Sequence, residues 1–98
     1  MTSATERHLQ RMLEVIDGAR KDEASLVNVA DSLHFLLSSL EALDRPWAEQ
    51  FGSHVLTLES AGLVSLEQRR EMGEGFSALK AQTIDALEAM VKGRMEGR

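Results

Sequence analysis

The sequence predicts an all-α protein, a single-domain antiparallel four-helix bundle, and three observations point there. Apolar residues recur at helical spacing over most of the 98 residues, and no segment alternates apolar and polar positions as a half-buried strand would. There is one proline, and turn residues do not recur at the regular short spacing of a sandwich or barrel. Aromatic residues make up 4% of a chain that is 43% hydrophobic, so the core has to be assembled from Leu, Val, Ile, Met and Ala. A chain of this length suits one hydrophobic core, hence one domain over residues 1–98.

The first helix is expected over about 3–18. Ser3-Ala4-Thr5-Glu6 has the capping-box form, Leu9, Met12, Leu13 and Ile16 line one side, and Gly18 suggests an end. The second is expected over about 24–43, with Leu26, Val29, Leu33, Leu36, Leu37, Leu40 and Leu43 on one wide stripe. Asp44 can cap a third helix over about 46–61, in which Pro46 occupies the first turn and Trp47, Phe51, Val55 and Leu58 share a face. Ser65-Leu66-Glu67-Gln68 offers another capping box for a fourth helix over about 65–92, its apolar side formed by Met72, Phe76, Leu79, Thr83, Leu87 and Met90. Gly73 and Gly75 are expected to bend that helix or delay its start. Short connections of this kind join antiparallel neighbours.

Net charge is −5, and its distribution says more than its sum. Residues 26–67 carry one basic residue, Arg45, against the acids Asp31, Glu41, Asp44, Glu49, Glu59 and Glu67. Nucleic acid and anionic membrane need clustered Lys and Arg, so they are poor partners for such a surface. There is no apolar run long enough for a signal peptide or a membrane span, and a cytoplasmic setting is expected. The absence of cysteine removes disulfides, thiolate metal sites and thiol nucleophiles.

No constellation for catalysis emerges. The serines lack a nucleophile elbow, and Gly73-Glu74-Gly75 lies inside a helical pattern rather than after a strand. His8, His34 and His54 fall on three different helices without a second ligand at metal-binding spacing. Neither a metal nor a cofactor is implied, and the chain is not expected to be an enzyme. His54 lies inside the apolar stripe of the third helix and should be partly buried, either bonded across the bundle or poised as a pH-sensitive contact. Arg20, Lys21, Arg69 and Arg70 read as surface charge.

Apolar residues on the wrong side of an amphipathic helix suggest that something covers them. Phe35 falls with Asp31 and Ser38, nearly opposite the leucine stripe, and Leu56 falls with Glu49, nearly opposite Trp47. Either Phe35 is buried by a neighbouring helix and Leu56 is incidental, or the two are anchors of a binding surface. The second alternative gives a candidate partner-binding set of Asp31, Phe35, Ser38, Glu41, Asp44, Glu49, Leu56 and Glu59, suited to a basic protein. A rival use of the same features is homodimerisation, through Phe35, Leu56 or the Met90-Val91 stripe.

The Leu-rich helix followed by Asp44-Arg45-Pro46-Trp47, Phe51 and Leu58-Glu59, in a small acidic helical chain, resembles the immunity proteins of bacterial toxin systems. The resemblance covers the pattern of residues 24–91. It implies a stoichiometric inhibitor that binds one cognate toxin domain, and the acidic middle of the chain implies that the toxin is basic. The chain departs from the four-helix nuclease immunity proteins in having no tyrosine and a longer third helix, so no binding residue is transferred from them.

Overall fold

Helix boundaries here are set by side chains that satisfy the free amides and carbonyls at helix ends. In the computed structural model, which describes residues 4–40 and 44–96, the result is five helices: α1 (Ala4–Arg20), α2 (Leu26–Ser39), α3 (Arg45–Gly62), α4 (Leu66–Met72) and α5 (Glu74–Glu96). No strand occurs among the described residues. The all-helical class matches expectation, and the fourth helix of the sequence pattern is two.

The expected Ser3 cap lies outside the described residues. α1 does not stop at Gly18. It continues to Arg20, where the Glu23 N–H donates to the Gly18 carbonyl (2.9 Å) and the Asp22 N–H to the Ala19 carbonyl (3.2 Å). Asp22 adopts φ 58, so an aspartate takes the left-handed position that usually goes to glycine in this ending. Burial of Ile16 and Ala19 on either side of Gly18 outweighs the roughly 1 kcal/mol that a helical glycine costs.

α2 is shorter than expected at both ends. Ser25 Oγ accepts from the Asn28 N–H (3.2 Å) and fixes the start. Near the end, the Ser38 and Ser39 hydroxyls donate to the carbonyls of His34 (2.9 Å) and Phe35 (3.0 Å), local bonds that compete with continued helix. Leu40 turns to extended backbone and buries its side chain. Glu41 and Leu43 lie outside the described residues.

Asp44 caps α3, accepting from the Trp47 N–H (3.4 Å), with Pro46 in the first turn. At α4 the Gln68 N–H donates to Ser65 Oγ (3.1 Å) and the Ser65 N–H to Gln68 Oε1 (3.4 Å), the reciprocal capping box expected there. Gly73, at φ 57 and ψ −128, then breaks the chain between α4 and α5.

The four long helices form a ring in which α2 packs on α1 and α3, α5 packs on the same two, and α4 lies against α5 and reaches the end of α3 through Arg69. The core holds Leu9, Met12 and Ile16 of α1, Leu26, Val29, Ala30, Leu33 and Leu36 of α2, and Phe51, Val55 and Leu58 of α3. On α5 the buried residues are Thr83, Ile84, Leu87 and Val91. The expected stripe is therefore corrected: Met72 and Leu79 are exposed, while Phe76 and Met90 are only half-buried. The break at Gly73 resets the helical phase, which takes Met72 off the face that α5 presents. Val91 is fully buried, so the Met90-Val91 stripe belongs to the core and is not free to pair two chains.

Polar contacts tie α5 to its neighbours. Trp47 stacks on Phe51 (ring centroids 5.0 Å apart) and its indole N–H donates to the Met90 carbonyl (3.3 Å). Arg20 is more than incidental surface charge, reaching Asp85 at 2.7 Å and Glu88 at 3.5 Å. The hydrogen bond it donates to Asp85, and after it the nearby Glu88 charge, raises its pKa despite some desolvation. Lys80 pairs with Asp22, and Arg94 with Asp44 at 3.8 Å. Arg69 is half-buried, with its guanidinium over the Phe76 ring (4.7 Å to the centroid) and an Nη2–H donated to the Gly62 carbonyl (3.5 Å). Among the described residues no helix is long and apolar enough to cross a membrane.

The closest backbone approach is at Gly62. A Cβ there would lie 2.9 Å from Leu26 Cβ and 3.0 Å from the Val27 amide nitrogen, whereas one at Gly18 would meet nothing within 4 Å. Urea unfolding should show Gly62→Ala destabilised by about 1–3 kcal/mol through overpacking. Gly18→Ala should be stabilised by about 0.5–1 kcal/mol. Equal effects at the two sites would contradict this packing.

Candidate protein-binding face

Leu33 is fully buried at the middle of α2. At about 100° per residue, Phe35 lies roughly 200° round the helix from it, with Asp31 and Ser38 on the same outward side. Phe35 is 71% exposed, so no neighbouring helix covers it. On α3, Phe51, Val55 and Leu58 face inward, and Leu56 is 54% exposed.

Two glycines mark the register between the helices. Gly62 abuts Leu26 and Val27, and Gly52 lies beside Leu37, so α2 and α3 run in opposite directions. Three rungs follow across their shared outer side: Glu59 level with Ala30 beside Asp31, Leu56 level with Leu33 within a turn of Phe35, and Glu49 level with Leu40 within a turn of Ser38. The axial offset between Phe35 and Leu56 is two residues, about 3 Å. Five candidate positions and the Ser38 position thus share one surface, apolar in the middle rung and acidic at both ends.

The carboxylates differ in how free they are. Asp31 and Glu59 have no ion-pair partner among the described residues. Glu49 lies 3.8 Å from Arg45, a pair with both side chains well exposed and so heavily screened. Asp44 is set apart, since it caps α3 and pairs with Arg94 of α5. Ser38 is exposed, but its hydroxyl proton is directed to its own helix. Glu41 lies outside the described residues. His54 is half-buried as expected and has no hydrogen-bond partner among the described residues.

The chain matches no protein-family model, no curated protein and no solved structure. The reading of this face therefore rests on its own geometry.

Leu63, 72% exposed, was not singled out by the pattern of residues. It sits seven residues after Leu56 and prolongs the same ridge past the last turn of α3; the signal was the heptad spacing, hidden because Leu63 follows the glycine that ends the helix. Chemically, the face offers apolar contact in the middle and fixed negative charge around it, the arrangement of a protein-docking surface.

Because Phe35 and Leu56 contribute little to the core, Phe35→Ala and Leu56→Ala should each change unfolding free energy by no more than about 0.5 kcal/mol. Asp44→Ala should cost about 1 kcal/mol through loss of the α3 cap. Denaturant titration separates the two classes, and a large loss in the Phe35 variant would mean that this ring is structural.

Proposed function

We propose that the chain is a non-catalytic protein-binding module that neutralises a cognate basic toxin domain, in the manner of the immunity proteins it resembles. Four long helices in antiparallel order form the scaffold, with α4 appended, and the outer side of α2 and α3 is the working face. The observation that carries this reading is Phe35: a phenylalanine 71% exposed, with the unpaired carboxylate of Asp31 one turn away.

Aromatic side chains at the centre of an interface carry a large share of binding energy, and surrounding charge sets encounter rate and rejects wrong partners. Asp31, Glu49 and Glu59 supply that charge, and a nuclease-like partner would meet them as it meets a polyanion. Inhibition is stoichiometric, by covering the toxin's active site or its docking surface, and requires no cofactor. A cytoplasmic setting fits a protein that meets its toxin inside the cell. Self-pairing through the same face is disfavoured, because a two-fold axis there would bring the acidic ends of two copies together.

The reading predicts a basic toxin domain encoded beside this chain, and the test is titration calorimetry with that domain at about 50 and 200 mM salt, where screening differs strongly. One-to-one binding that weakens with salt is expected. Phe35→Ala should weaken it at least about 30-fold, the equivalent of a hot-spot residue. Asp31→Lys combined with Glu59→Lys should slow association and flatten the salt dependence. An affinity and salt dependence unchanged in both variants would exclude this face.

A further inference from the structure

Very little holds α4 in place. It buries none of its seven residues, and its two large apolar side chains, Leu66 and Met72, are both exposed. No buried apolar group anchors it, although such burial is the main force that fixes a helix in a fold. Segments with few buried contacts open at little cost. Its polar side chains add one tie. Gln68 closes the capping box on Ser65, inside the segment itself. Among the described residues, Arg69 is the one α4 side chain with a hydrogen bond, ion pair or ring contact beyond the helix and its cap. Its guanidinium lies over Phe76 of α5 (4.7 Å to the centroid), and an Nη2–H donates to the Gly62 carbonyl of α3 (3.5 Å).

That latch is a weak one. The bond to Gly62 is long, and the Arg69 Nε–H is buried with no acceptor. A guanidinium in water has all its donors hydrated, so the closed position carries a cost that opening relieves. Arg69 has no carboxylate partner among the described residues either. It lines a cavity of about 310 Å³ with Leu26, Gly62, Phe76 and Lys80, to which α4 contributes no other residue. Both ends of α4 can yield. Gly73 takes φ 57 and ψ −128, and a Cβ there would meet nothing within 4 Å, so the break into α5 is a turn without packing. Leu63, where α3 ends, is exposed. The start of α5 is held independently, by the pair of Lys80 with Asp22 and by Phe76 against the core.

We propose that α4 is a lid, latched by Arg69 and hinged at Gly73, that detaches from the bundle as a unit and uncovers Phe76 and the cavity beside it. Seven residues are far below the length at which a helix is stable alone, so α4 melts as it leaves and its amides lose their hydrogen bonds. The motion needs no partner, and the chain alone is enough to test it, apart from any result on the α2–α3 face.

Amide exchange of the full chain, followed by NMR, reads the opening. The α4 amides run from Arg69, bonded to the Ser65 carbonyl, to Gly73, bonded to the Arg69 carbonyl. They should be protected at least about a hundredfold less than the amides of Val55 and Leu58 in α3. Arg69→Ala should lower α4 protection a further fivefold or so, about what the lost ring contact and hydrogen bond imply, and leave Val55 and Leu58 unchanged. Alanine is the better helix former, so that loss reports the latch and not a weaker helix. Phe76→Leu, which keeps an apolar side chain but removes the ring, should act in the same direction. Protection in α4 equal to that in α3, α4 exchange that neither substitution moves, or a loss of protection in Arg69→Ala that spreads equally to Val55 and Leu58 would each overturn the proposal.

Discussion

Burial of Leu33 fixes the orientation of α2, and the rest of the structure depends on it. That side chain is fully enclosed, with Val29, Leu36 and Ala30 beside it, between α1 on one flank and α3 on the other. The helical period leaves no choice about what then faces solvent: Phe35 is two residues on and points away. Gly62 lets the end of α3 lie close against the start of α2, and the antiparallel register that follows places Leu56 and Glu59 next to the outward side of α2. The candidate face is thus a consequence of core packing rather than a separate structural device.

Electrostatics sharpen this partition. Arg20, Lys80 and Arg94 all act between α5 and other parts of the chain, engaging Asp85, Glu88, Asp22 and Asp44. Each such pair is only partly buried and adds little stability, but together they draw the available cations toward α5. The α2–α3 side keeps Arg45 alone among basic residues, already beside Glu49. Uncompensated negative charge and exposed apolar groups end up on the same surface because the cations are engaged elsewhere.

Much of this was legible in the sequence, where local rules operate. The caps at Asp44 and Ser65, the buried faces of α1, α2 and α3, and the outward direction of Phe35 and Leu56 all follow from spacing and residue type. Misreadings arose where tertiary contact overrides local preference. Gly18 stays helical because its neighbours are buried, and Asp22 rather than a glycine ends α1. Gly73 breaks the fourth pattern instead of bending it, so Ile84 and Val91 replace Met72 and Leu79 as core residues. Asp44 belongs to the scaffold because Arg94, fifty positions away, reaches it, and no local pattern encodes such a pair.

Phe35 is either a contact or merely an exposed ring, and the function of the face depends on which. Hydroxyl-radical footprinting of the chain, alone and with the proposed basic toxin domain, reads this residue directly. Strong protection of Phe35 and Leu56 in the complex is predicted, with the buried Phe51 unreactive in both states. A Phe35 ring as reactive in a saturated complex as in the free chain would contradict the account.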